Sequence, residues 1–245
     1  MTELLPRLRM FAGPNGSGKT TIKTGLERTA NWFGTYINPD DIEKHIRETG
    51  RLSLAEFDLS IEIERLRQHF SSSSLLRERG SFLVAEDWSI ESDAICFPSD
   101  RMDSYVASVL SDFMRRTALA ESKSFSFETV MSSPDKVEFL KEAQARGFRT
   151  YLYFVATEDP LINIERVRYR VEEGGHDVPR DKIISRYRRS IDLLREAIRH
   201  ANRGFLFDTS GEAPWYFAET TDGSAIELKS ESVPNWFRPI WDDFG

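Results

Sequence analysis

The sequence predicts an α/β chain built on a doubly wound, parallel, five-stranded sheet flanked by helices, with a helical insertion after the second strand and a C-terminal β-hairpin. Three observations carry this expectation. Short apolar runs alternate with stretches of helical periodicity, the order that builds a parallel sheet. A glycine-rich turn, FAGPNGSGKTTI at residues 11–22, lies between the first apolar run and the first helical stretch. FRTYLYFV, residues 148–155, is a continuous apolar run of the kind buried on both faces of such a sheet.

Each element can be justified in turn. Leu8 to Ala12 reads as the first strand, and Ile22, Leu26 and Ala30 then fall on one helical face. Tyr36 to Asn38 is a short strand ended by Pro39, followed by a helix running toward Gly50. Asp40 or Asp41 is placed to cap that helix. Lys123 to Glu128 is the third strand, after which Ser133 and Pro134 open a helix that Gly147 stops. Phe148 to Val155 is the fourth strand, and Asp159 with Pro160 starts a helix that breaks at Gly174 and Gly175. The next helix carries the stripe Ile183, Tyr187, Ile191, Leu194 and Ile198, and Gly204 to Asp208 is the last of the five strands. Tyr216 to Lys229 reads as a hairpin around Asp222 and Gly223, with Trp236, Phe237, Trp241 and Phe244 docking the tail. The expected organisation is one domain over residues 1–212, interrupted by the insertion at about 51–121, with residues 213–245 packed on it.

The turn at residues 13–20 satisfies GxxxxGK[ST], the phosphate loop of P-loop NTPases. A phosphate chain needs several backbone N–H groups pointing inward, and side chains larger than glycine block that approach. Gly13, Pro14, Asn15, Gly16, Ser17, Gly18, Lys19, Thr20 and Thr21 are therefore candidates to bind ATP. Lys19 would reach the β and γ phosphates, and the Thr20 hydroxyl would be a ligand of Mg²⁺. The following helix adds the positive end of its dipole.

Composition narrows the function classes. With 245 residues, 40% hydrophobic and 30% charged, the chain has the make-up of a soluble globule with room for a full core. No apolar run approaches membrane-span length and the N-terminus lacks a signal peptide's apolar core, so a cytoplasmic protein is expected. A single cysteine, Cys96, rules out an internal disulfide framework and reads as a small buried residue. The net charge of −7 argues against a general nucleic-acid binder. Residues 160–203 run the other way, with eleven Lys and Arg against seven Asp and Glu. That local excess is either a solvated helical face or a cationic lid.

In doubly wound folds ligands collect at the carboxyl ends of the strands. Asp40, Asp41, Glu128, Thr129, Thr157, Asp208, Thr209 and Ser210 lie there. Glu128 is placed to face Mg²⁺ or a substrate hydroxyl, with Thr129 beside it; Asp40 is a helix cap or a catalytic carboxylate. Residues 208–210 would shape the loop beside the nucleotide base.

GPNGSGKTT, NPDDI, FSFETVMS, RVRYRVEEGGHDVPRDKIISRYRRS and FDTSGE, in this order and spacing, resemble the zeta-toxin family of P-loop kinases and its relatives labelled as ATPases. The resemblance covers residues 7–48 and 122–212. It implies ATP-dependent phosphorylation of a sugar hydroxyl, in those toxins the 3′-hydroxyl of UDP-N-acetylglucosamine, and an antitoxin as partner. It also implies a general base just after the second strand, where Asp40 stands. Residues 51–121 are longer than in the compact relatives, and neither their SFLVAEDWSIESDAICFPSD stretch nor the C-terminal tail matches the family pattern.

A phosphoryl transition state spreads charge over its oxygens and needs cations on the side away from Lys19. Arg166 and Arg170 are four apart on one helical face, anchored by Leu161, Ile164, Val167 and Val171, while Arg186 lies early in the next helix. Gly174 and Gly175 would permit a hinge, with His176 as a hinge or capping residue. Other readings of the same residues are an ATPase or nucleotide switch acting through a protein partner, and a phosphate-binding module without chemistry.

Overall fold

The computed structural model describes residues 5–28, 34–78, 82–175 and 177–242. Ala30, His176 and Phe244, which the sequence singles out, lie outside the described residues. From the N-terminus the chain forms β1 (Arg7–Ala12), α1 (Lys19–Glu27), β2 (Thr35–Ile37), α2 (Pro39–Thr49), β3 (Arg51–Ser53), α3 (Ile63–Ser72), α4 (Ser74–Glu78), β4 (Ser89–Glu91), β5 (Ala94–Cys96) and α5 (Ser104–Ala120). It continues with β6 (Phe125–Thr129), α6 (Asp135–Ala145), β7 (Arg149–Ala156), α7 (Pro160–Glu172), α8 (Arg180–Asp192), α9 (Leu194–Arg199), β8 (Arg203–Asp208), β9 (Trp215–Thr221), β10 (Ala225–Leu228) and α10 (Arg238–Asp242). Two compact units result: Met1–Phe33 with Ser126–Gly245, and Gly34–Phe125.

The first unit is built on a mostly parallel sheet whose strands run in the order β10-β9-β8-β7-β1-β6. β1 pairs in parallel with β7, from Arg7 opposite Arg149 to Ala12 opposite Phe154. β7 pairs in parallel with β8, from Tyr151 opposite Arg203 to Ala156 opposite Asp208. β1 is buried from Leu8 through Ala12, Arg9 included, and β7 from Leu152 through Ala156, where burial of consecutive residues explains the unbroken apolar run. Phe11, Tyr153 and Phe205 stack across three strands at 4.7 and 4.9 Å.

The expected count of five strands in the sheet is corrected here. β9 pairs antiparallel with β8, and β10 with β9, so the hairpin extends the sheet. The physical reason lies in β8, which buries alternate residues and would otherwise expose a row of unpaired backbone groups. The turn between β9 and β10 uses Asp222 and Gly223 at φ 49° and 70°. Trp236 and Phe237 are buried and pack on Phe217 at 5.5 and 5.1 Å, docking the tail.

The second unit differs from the expected helical insertion by containing a small antiparallel sheet of order β3-β5-β4. These strands have three residues each, too short to show a period. Trp88 is fully buried between Phe70 at 4.8 Å and Phe97 at 4.2 Å. α5 starts at Asp103, whose carboxylate accepts from the N–H groups of Tyr105 and Val106 at 2.9 Å. Cys96 is half-buried rather than buried.

Two helix starts also depart from expectation. Asn38, not Asp40 or Asp41, caps α2: its Oδ1 accepts from the Asp40 N–H at 2.9 Å, and Pro39 takes the first helical position. Ser133 does not cap α6; its hydroxyl turns to the Asp135 carboxylate.

Candidate phosphate-binding site

The loop between β1 and α1 has the strand, turn, helix order that phosphate binding requires. Gly13, Gly16 and Gly18 have φ of 143°, 72° and 82°, backbone that side-chain-bearing residues rarely adopt. Space adds a second constraint. A Cβ at Gly13 would lie 2.0 Å from the Val155 carbonyl oxygen, and one at Gly16 2.6 Å from that of Asn163. The loop therefore wraps tightly against the ends of β7 and α7, and glycine is the residue that fits.

Lys19 Nζ donates to the carbonyls of Gly13 and Pro14, both at 2.9 Å, so the ammonium lies over the loop. Asn163, fully buried on α7, donates from Nδ2 to the Asn15 carbonyl at 2.6 Å and accepts from the Thr157 hydroxyl. Thr209, just beyond β8, donates from Oγ1 to the Ser17 carbonyl at 2.8 Å. Thr157 in turn accepts at its carbonyl from the Tyr187 hydroxyl of α8. Burial, reinforced by Glu158, Asp208 and Asp159, pushes the Tyr187 phenol up, so it stays a donor.

The Thr20 hydroxyl donates to Glu128 Oε2 at 3.2 Å, bringing together two residues predicted as Mg²⁺ ligands. Neighbouring oxygens around an octahedral Mg²⁺ stand about 3 Å apart, since each lies about 2.1 Å from the ion. The hydroxyl and carboxylate are hard donors at that spacing and fit the ion. The neighbouring Thr129 hydroxyl accepts from the Met131 N–H at 3.2 Å in the turn after β6.

The arginines are not equivalent. Arg166 is half-buried and tied to Thr209, with one terminal nitrogen 3.2 Å from the hydroxyl and the other 2.5 Å from the carbonyl. Arg186 is half-buried on α8 and reaches Asn15 Oδ1 at 3.4 Å. Arg170 is exposed near the end of α7. The expected stripe of α7 is also revised, because Leu161 is 49% exposed while Asn163 and Val167 take the buried face. Asp40 lies in the second unit, exposed in the first turn of α2.

Asn163 went unrecognised in the sequence, as a polar residue in an arginine-rich helix with no motif around it. Asp208, at the end of β8, is buried and accepts from the Ser210 N–H at 2.8 Å and from the Trp236 indole at 2.8 Å, tying the strand end to the tail.

No family model matches the chain. A protein of Haemophilus influenzae described as uncharacterized is 29% identical over 70 residues, which cover 29% of this chain and 50% of that protein. Among solved structures, the AvrRxo1-ORF1:AvrRxo1-ORF2 complex with sulphate ions aligns with 99% of this chain at 14% identity and a TM-score of 0.55. The same complex with ATP aligns with 99% at 15% identity and 0.54. The PezAT chromosomal toxin-antitoxin system of Streptococcus pneumoniae aligns with 100% at 12% identity and 0.50. This chain spans 64% of the AvrRxo1 chain and 80% of the PezAT one. The fold is the one these proteins share.

Proposed function

We propose that this chain is an ATP-dependent phosphotransferase of zeta-toxin type, moving the γ-phosphoryl group of ATP to a hydroxyl of a small molecule. The carrying observation is the phosphate loop with Lys19 over it and the Thr20–Glu128 pair beside it at 3.2 Å. The acceptor that the resemblance implies is a sugar hydroxyl of a nucleotide sugar, UDP-N-acetylglucosamine among them, and the implied protein partner is an antitoxin. A fold shared with a toxin-antitoxin system, and with a complex that has been solved with ATP, supports this reading.

The roles follow from the chemistry. Lys19 would exchange the Gly13 and Pro14 carbonyls for the β and γ phosphates, while Thr20 and Glu128 would hold Mg²⁺, which screens phosphate charge when bound. Arg166, Arg170 and Arg186 supply the cationic side. Asp40 is the base that accepts the hydroxyl proton, with Glu128 and Thr129 as acceptor-side contacts.

The test is incubation of the pure protein with ATP, Mg²⁺ and a panel of nucleotide sugars, read by mass spectrometry for the gain of one phosphate. Hydrolysis without any phosphorylated product would favour a nucleotide switch that works through a partner. Because Asn38 is the cap of α2, Asp40→Asn leaves that cap intact. The substitution should lower transfer by ~10² to 10⁴-fold at unchanged thermal midpoint; full activity would remove Asp40 from the chemistry.

A further inference from the structure

The loop carbonyls have an unusual set of partners. Gly13 and Pro14 accept from Lys19, Asn15 from Asn163, Ser17 from Thr209, and Gly18 from the Ile22 N–H at 3.1 Å. A trans peptide is planar, so its C=O and the next residue's N–H point in opposite directions. Holding the Asn15 carbonyl toward α7 therefore aims the Gly16 N–H the other way, and holding the Ser17 carbonyl toward Thr209 does the same for the Gly18 N–H. The Lys19 bonds must be given up when that ammonium turns to phosphate. The bonds from Asn163 and Thr209 need not be.

We propose that Asn163 and Thr209 are positioning residues that fix the orientation of the 15–16 and 17–18 peptide planes and thereby set the affinity of the loop for phosphate. Both are built for this. Asn163 is 0% exposed and Thr209 6%, so a donor there can be exchanged for water only with difficulty. The Asn163 amide can face only one way, because the Asn15 carbonyl accepts and the Thr157 hydroxyl can donate. Thr209 Oγ1 also accepts from Arg166 at 3.2 Å, and its single proton favours the Ser17 carbonyl at 2.8 Å over the Ala156 carbonyl, the longer alternative at 3.3 Å. In this arrangement α7 contributes to phosphate binding through an uncharged side chain, independently of its arginines.

The inference rests on the phosphotransferase reading, and the experiment separates the two. Mg·ADP affinity is measured by calorimetry for the wild type and for Thr209→Val, Thr209→Ser and Asn163→Leu. Valine keeps the shape of threonine without the donor, and serine keeps the donor. Thr209→Val and Asn163→Leu should each weaken Mg·ADP by ~10-fold, the scale of one lost buried hydrogen bond. Thr209→Ser should restore most of the affinity. Wild-type affinity in Thr209→Val, or Thr209→Ser as weak as Thr209→Val, overturns the proposal and leaves the kinase reading standing. Wild-type protein that binds no nucleotide overturns both. Should Asn163→Leu fail to fold, the Thr209 pair decides alone.

Discussion

The phosphate loop and the turn between β4 and β5 make the same backbone demand and meet it with different residues. Gly16 and Gly18 have φ of 72° and 82°; Ser92 and Asp93 have φ of 48° and 65°. Left-handed backbone costs a side-chain-bearing residue roughly 1–2 kcal/mol, which a domain can absorb. Ser92 and Asp93 are exposed, so solvent leaves room for their side chains and the turn tolerates them. In the loop the cost is compounded, since a Cβ at Gly16 would lie 2.6 Å from backbone. The difference separates a turn whose residues stand in solvent from one that packs closely against its own chain.

The largest effect is expected from Lys19→Ala. If the loop exists for phosphate, transfer should disappear and Mg·ATP binding weaken, with the thermal midpoint nearly unchanged; turnover near wild type would reduce the loop to a structural turn. Next comes Gly13→Ala, whose Cβ would meet the Val155 carbonyl oxygen at 2.0 Å. A loss of about 3 kcal/mol or more in denaturant unfolding, together with lost nucleotide binding, is expected. Ser92→Asn combined with Asp93→Gly should do the opposite. Those residues suit two-residue hairpin turns, and a gain of roughly 0.5–1 kcal/mol with no change in nucleotide affinity is expected.

The smallest effect concerns His69 in the second unit. Burial holds its imidazole below the ordinary value, opposed by Asp112 at 3.5 Å and assisted by Arg116 and Arg115. The unfolded chain then takes up a proton near pH 6.5, before the folded chain does. This contribution to stability is full above pH 6.5 and is lost as pH falls below it toward the folded pKa. Thermal midpoints between pH 7.5 and 5.5 should decline more steeply for the wild type than for His69→Gln, and parallel curves would show that the imidazole titrates alike in both states.

β7 was legible because burial on both faces imprints a continuous apolar run, β8 by its apolar residues between glycine and Asp208, and the three-residue β2 only by Pro39 close after it. The phosphate loop was legible for the reason just given, that only glycine meets its backbone and space requirements. β3, β4 and β5 were not, being three residues long and joined at Ser92 and Asp93 without the glycine that marks a hairpin. The α2 cap was present in the sequence as Asn38 followed by Pro39, a signal eclipsed by the adjacent carboxylates. Thr209 was flagged only by its place at the end of a strand, and Asn163 had no local signature at all, since both bond a loop nearly 200 and 150 residues away in the chain.

The two bonds from Lys19 to the carbonyls of Gly13 and Pro14 have a thermodynamic and kinetic consequence. A long ammonium side chain waving in solvent would lose close to 2 kcal/mol of rotamer entropy on capture by a ligand. Here much of that freedom has already been surrendered on folding, and an arriving triphosphate exchanges one set of oxygen acceptors for another. Encounter should therefore lead to capture without a slow ordering step, giving an association rate limited by diffusion and charge rather than by loop rearrangement. Stopped-flow traces with a fluorescent ATP analogue should be single-exponential, with rates linear in nucleotide concentration.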